Sequence, residues 1–295
     1  IFSILRSMNN ELHTFHIPVM GTGFSIDTPV KGAPYGISSV ISLVDDTLIE
    51  YMRKFYCEAY HQEYLEITKD VRDHRARRIT AYLDLLDKIV HKEFQSLKAS
   101  AFEKGTEITK YFELLPDTSP AKKLYNTMLS TKDAAAKRKL QETLREKIKP
   151  GSIDVNIMTK LDRTNYKPNG EKLPDEFSDA LSALRGYALS TLNSGIVLSA
   201  GFNRKLYAYM EEFKDFYADK TGQIKKKIIL KVSDYRSCIT QGKFLAKKGL
   251  WVSEYRIESG LNCGGHAFTS NGYLLGPILI EMKTKKNEFV DNLRK

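Results

Sequence analysis

Ile153-Asp-Val-Asn-Ile-Met-Thr-Lys160 alternates cleanly between two faces. Ile153, Val155 and Ile157 point to one side, and Asp154, Asn156, Met158 and Lys160 to the other, which is the two-residue period of a strand. In a closed barrel the apolar side meets the surrounding helices. The polar side then faces the interior and the mouth where chemistry is done. Working outward from this strand, the same rhythm repeats. A helix is expected over 175–192, a strand at Gly195-Ile-Val-Leu-Ser-Ala-Gly201 and a helix over 204–216. Lys227-Ile-Ile-Leu-Lys-Val-Ser-Asp234 follows as a strand, then a helix over 235–248. A sixth strand opens at Gly249, and a last helix is expected over 273–294.

Upstream, His16-Ile-Pro-Val-Met-Gly-Thr-Gly-Phe24 reads as a strand running into a glycine turn. Asp27-Thr-Pro starts a short helix, because Asp or Thr before Pro is a good helix opening. Gly36-Ile-Ser-Ser-Val-Ile-Ser-Leu-Val44 is the second strand. Between residues 46 and 150 apolar residues recur at helical spacing, as in Ile79, Leu83, Leu86, Ile89 and Val90. The expected organisation is therefore barrel strands 1–2 in residues 1–45, a helical insertion in 46–150, and strands 3–6 with their helices in 151–295. Six β/α units make an α/β protein, whereas a (β/α)8 TIM barrel has eight. Either the barrel is incomplete in this chain or the strands form an open, doubly wound sheet.

Composition narrows the class. Of 295 residues, 42% are hydrophobic and 28% charged, enough to bury a core. No run approaches the roughly 18 apolar residues of a membrane span, and Ile1–Arg6 carries no signal-peptide pattern. The first residue is Ile rather than Met, from which upstream sequence is expected. Three scattered cysteines, Cys57, Cys238 and Cys263, fit a reducing cytoplasm better than a disulfide framework. The net charge of +10 lies in helical stretches mixed with acids, read as solvated faces rather than a nucleic-acid surface. His61, His74 and His91 lack metal-ligand spacing, and Cys263 with His266 supplies only two ligands, so no metal is expected.

The sixth strand runs into Gly260-Leu-Asn-Cys-Gly-Gly-His266. Paired glycines allow a backbone to approach a flat ligand, since no Cβ intervenes. This segment resembles the strand-six motif of nitronate monooxygenases, the FMN-dependent 2-nitropropane dioxygenase-like family, which includes a flavin enoyl-acyl-carrier-protein reductase branch. The usual motif has an acidic residue and Ala before Gly-Gly-His, where this chain has Asn262 and Cys263, and a Gln where Ser259 stands. Pro18-Val-Met-Gly21, Asp154-Val-Asn-Ile-Met158, Ser199-Ala-Gly-Phe202 and Ile228–Ser233 are similar to the family's first, third, fourth and fifth strands, in the same order.

The resemblance implies FMN as cofactor and a small-molecule substrate. It implies His266 as the base that takes a proton from a nitroalkane or steers a nitronate onto the flavin. It makes Met20, Gly21, Thr22, Asn156, Gly264 and Gly265 the flavin contacts. The phosphate-binding loops after strands seven and eight are expected to lie outside this sequence. An NAD(P)H-dependent reductase is the nearest alternative. Lys160 and Lys231, lysines at strand ends, raise a Schiff-base lyase, and a non-catalytic barrel protein is the remaining one.

Overall fold

The computed structural model describes residues 12–13, 15–19, 25–43, 45–167, 169–199, 201–258 and 275–294. Six strands, β1 (His16–Ile17), β2 (Ser38–Ser42), β3 (Ile153–Met158), β4 (Gly195–Ser199), β5 (Lys227–Val232) and β6 (Val252–Ile257), are all parallel and lie in sequential order. A doubly wound sheet reverses its order at a switch point; this one does not, which removes that alternative. The strands form a curled half-barrel wall.

The residues that dictate this are the apolar halves of the alternating strands. Ile41, Ile153, Val155, Ile157, Ile196, Leu198, Ile228, Leu230 and Val232 are buried in one cluster with helical side chains. Those helices are α1 (Thr28–Gly32), α2 (Asp46–Ala59), α3 (His74–Ala99), α7 (Asp179–Leu189), α8 (Arg204–Tyr209) and α9 (Tyr235–Ala246), with α10 (Leu275–Thr284) and α11 (Lys286–Arg294) against β6. The opposite sheet face holds only a small apolar cluster, Val40, Val197 and Ile229 with Val19 against it. Among the described residues no helix covers it.

Local chemistry starts the helices where the sequence places them. Asp45 accepts from Thr47 N and Leu48 N to cap α2, Asp133 from Ala136 N, Asn203 from Leu206 N and Asp234 from Ser237 N. Three expectations are refined. The helix expected over 204–216 stops at Tyr209 and continues as two 3-10 turns. The last helix is divided at Lys285, although Lys285 N still bonds Glu281 O. A helix over Glu107–Glu113, α4, has no counterpart in the sequence reading, being only two turns long. It packs with α5 (Pro120–Ser130) and α6 (Ala134–Lys147) around a second core of Phe94, Ile108, Phe112, Tyr125 and Leu144. Of the two long helices before it, α2 packs in the core of the sheet, and α3 spans both cores, with Ile79 to Val90 against the sheet and Phe94 and Leu97 in the second core.

The crossing of α3 and α7 depends on Gly186. A Cβ there would lie 2.8 Å from Ala76 O and 2.8 Å from Ile79 Cβ, neither of which can swing aside. Gly→Ala within a helix ordinarily stabilises by about 1 kcal/mol. Here overpacking, about 1–3 kcal/mol, should reverse the sign, so Gly186→Ala should lower the urea midpoint. A raised midpoint would show that the helices separate freely.

Candidate functional site

The uncovered face of the sheet is the lumen of the half-barrel, and alternation decides what reaches it. From β1 to β6 it carries His16; Ser38, Val40 and Ser42; Asp154, Asn156 and Met158; Gly195, Val197 and Ser199; Lys227, Ile229 and Lys231; and Glu254 and Arg256. The wall made by β2–β4 is mostly neutral, whereas β5 and β6 are charged.

Curvature brings the two walls together. Arg256 on β6 places a guanidinium nitrogen 3.7 Å from Asp154 Oδ2 on β3. Three strand spacings would separate them by about 14 Å in a flat sheet, and side chains stand roughly perpendicular to a sheet. They meet because the sheet curls. His16, on the far edge strand, also lies within electrostatic reach of Arg256, Glu254 and Asp154. Burial, and then the Arg256 charge, push its imidazole below the ordinary histidine value.

Asp154 is the centre of this floor. Its Oδ1 accepts from Gly195 N at 2.7 Å and Ser152 Oγ at 2.7 Å. Gly195 is required beside it, since a Cβ would stand 2.4 Å from Ile229 Cδ1 and 3.2 Å from that oxygen. Burial raises the Asp154 carboxyl above its usual range, while Ser152, Gly195 and Arg256 pull it back down. Arg256 in turn donates from Nε to Glu254 Oε1 at 2.6 Å. At the carboxyl end Lys231 Nζ sits 2.6 Å from Glu258 Oε2.

Above the floor are two polar groups of another kind. Asn156, 3% exposed, has no side-chain hydrogen bond among the described residues. Its register partner Ser42, also buried, has a hydroxyl with no partner among the described residues. Buried polar groups are nearly always paired, so an orphan needs a reason. Val197 flanks Asn156 on its other side. The result is a small, uncharged, hydrogen-bonding surface inside an apolar frame.

The loops at this end are held firmly. Thr159 Oγ1 donates to Ser199 O and Gly201 O, and Asn203 Nδ2 donates to Asp162 Oδ2. Arg75 bridges Asp46 and Asp179, Arg78 joins Asp46, and Arg163 joins Asp179, tying the starts of α2, α3 and α7 to the loop after β3. This rigid frame surrounds the carboxyl ends of the strands, where barrel enzymes keep their active sites.

Of the expected site residues, Asn156 lies on the lumen face as described. Met20, Gly21, Thr22, Gly264, Gly265 and His266 lie outside the described residues. Lys231 faces the lumen but holds Glu258; Lys160 lies at the mouth, its Cε packed 2.8 Å from where a Gly201 Cβ would be. Among the described residues no group of three His, Cys, Asp or Glu side chains could hold a metal, and no helix is long and apolar enough to cross a membrane.

Sequence reasoning missed His16, Ser42, Glu254 and Arg256. The period-two pattern of Ser38–Ser42 and of Val252–Ile257 carried that signal for Ser42, Glu254 and Arg256, because it places those three on the Asn156 face; the two-residue strand of His16 is too short to show a period. No protein-family model, curated protein or solved structure matches the chain.

Proposed function

We propose that this chain is the flavin-binding part of an FMN-dependent oxidoreductase of the nitronate monooxygenase-like type, built on a (β/α)8 barrel of which six β/α units are present. One observation carries the reading: the Asn156 side chain beside the Ser42 hydroxyl, both residues buried on the lumen face, the hydroxyl without a partner among the described residues. An amide offers two donors and an acceptor, and a hydroxyl offers one donor and two lone pairs. That set suits the edge of a neutral heteroaromatic ring in which donors and acceptors alternate. Bound there, FMN would supply the two-electron redox chemistry.

The chain's own residues then divide the work. Asn156 and Ser42 orient the ring edge, and Val197 excludes water from one side. Asp154, locked by Gly195 and Ser152, keeps β3 in register with β4 beneath them. Met20, Gly21, Thr22, Gly264 and Gly265 contribute close backbone contacts, and the His266 imidazole takes the proton from the carbon next to the substrate's nitro group; these roles rest on the resemblance. The substrate is a small molecule, handled in the cytoplasm without a nucleic-acid partner or a membrane.

Titration of the purified protein with FMN tests this directly. Saturable binding of about one FMN per chain is expected, seen as quenched or shifted flavin fluorescence. Anaerobic bleaching by a nitronate rather than by NAD(P)H would then place the protein with the monooxygenases rather than the reductases. FMN fluorescence that stays unchanged through a large excess of protein would remove the proposal.

A further inference from the structure

Lys225, Lys226 and Lys227 are consecutive and meet three different fates. Lys225 pairs with Asp215 at 3.0 Å on the surface. Lys226 is fully buried, donating to Tyr187 O, Ser190 O and Ser190 Oγ at 3.0 Å each, and burial drives its amine down to about 7. Lys227 begins β5 on the lumen side and has no carboxylate partner among the described residues.

Lys227 lines a cavity of about 610 Å³ at the amino ends of the strands, opposite the mouth. Small-molecule sites typically span about 300–1,000 Å³. The sheet supplies Ser38 and Lys227, α3 supplies Asp87 and His91, α4 supplies Tyr111, and the segment between α6 and β3 supplies Lys149 and Ser152. The barrel therefore makes one side, and residues from the long helical stretch make the other.

Charge gives this cavity its character. Among the described residues its one carboxylate, Asp87, is engaged by His91 Nδ1 at 3.1 Å and by Thr191 Oγ1 at 3.2 Å. Lys149, like Lys227, has no carboxylate partner among the described residues. Elsewhere in the lumen Lys231 and Arg256 are each matched by a glutamate. Two exposed ammonium groups at the rim of one concave surface, unmatched by a carboxylate among the described residues, concentrate positive potential there. The neighbouring hydroxyls mostly serve internal bonds: Ser152 Oγ holds Asp154, Ser38 Oγ accepts from Ser152 N, and Tyr111 donates to Lys149 O.

We infer that this basal cavity is a second ligand site, for a small polyanion carrying phosphate or several carboxylates, gripped by Lys149 and Lys227. The site is independent of flavin binding at the other end of the barrel. It gives the helices beyond α3 a role that the flavin reading leaves open.

Calorimetry and thermal melts with pyrophosphate and with citrate, at matched ionic strength and with or without FMN, test it. Wild type should bind one pyrophosphate or citrate per chain and melt higher as the ligand is added, because a ligand specific for the folded state stabilises it. A response to pyrophosphate alone assigns a phosphate ligand, and one to citrate alone a polycarboxylate. Lys149→Gln/Lys227→Gln should weaken binding at least tenfold while melting normally without ligand, since both side chains are exposed. Lys160→Gln, at the opposite end, should bind as wild type does. No response to either anion would overturn the inference. So would equal binding by the double variant, or equal loss in Lys160→Gln.

Discussion

Arg256→Met should lower the melting temperature by about 10 °C near neutral pH. The side chain is 18% exposed and stands between Glu254 and the buried Asp154. Methionine fills much of the same volume, so the loss reports charge rather than a cavity. Removing one partner of a buried pair costs about 3–5 kcal/mol, because the remaining charge is stranded. For a chain of this size each kcal/mol moves the midpoint by about 2–4 °C.

The pH dependence supplies a second check. Asp154 has a folded-state value above its ordinary one, so the folded protein keeps a proton that the unfolded chain releases. The stability gained from that proton is full below the ordinary carboxylate range, and is lost as pH rises through the raised folded value. Without Arg256 the folded value rises further. Wild type and variant should therefore converge toward about pH 4 and separate near neutrality. Identical melting at neutral pH would mean that the cross-lumen pair does not hold the curl.

Asn156→Leu should weaken FMN binding by roughly thirtyfold, the equivalent of about 2 kcal/mol, while leaving the fold intact or making it slightly more stable. Both signs follow from one fact: Asn156 is a buried residue whose side chain makes no hydrogen bond among the described residues. Replacing an unsatisfied buried polar group by an apolar one of similar shape is neutral or stabilising. A structural amide would behave in the opposite way, and the variant would melt lower. FMN titration beside a thermal melt separates the two. Unchanged affinity would end the assignment of Asn156 to the flavin, whatever happened to stability.

Much of the architecture was legible along the chain. The strands expected at 153–160, 195–201 and 227–234 are found at Ile153–Met158, Gly195–Ser199 and Lys227–Val232, with helices between them. Hydrophobic periodicity is local, so each element could be placed from its own residues. The short α4 escaped because two turns give too few repeats of a 3.6-residue period. The site was less legible. Asn156 stood out as a polar residue in an apolar strand, whereas Arg256 and Glu254 looked like ordinary charges in the middle of β6.

Local residue pattern sets which side of each strand is apolar, the order of strands and helices, and hence which residues could face a common interior. Three-dimensional packing sets how far the sheet bends, and so that Arg256 reaches Asp154 across the lumen within electrostatic range of His16, while Lys226 is buried and Lys227 is not. The reason is one of range. Alternation is set by neighbours two residues apart, but curvature accumulates over strand pairs whose members lie tens of residues apart, and no single segment records that sum.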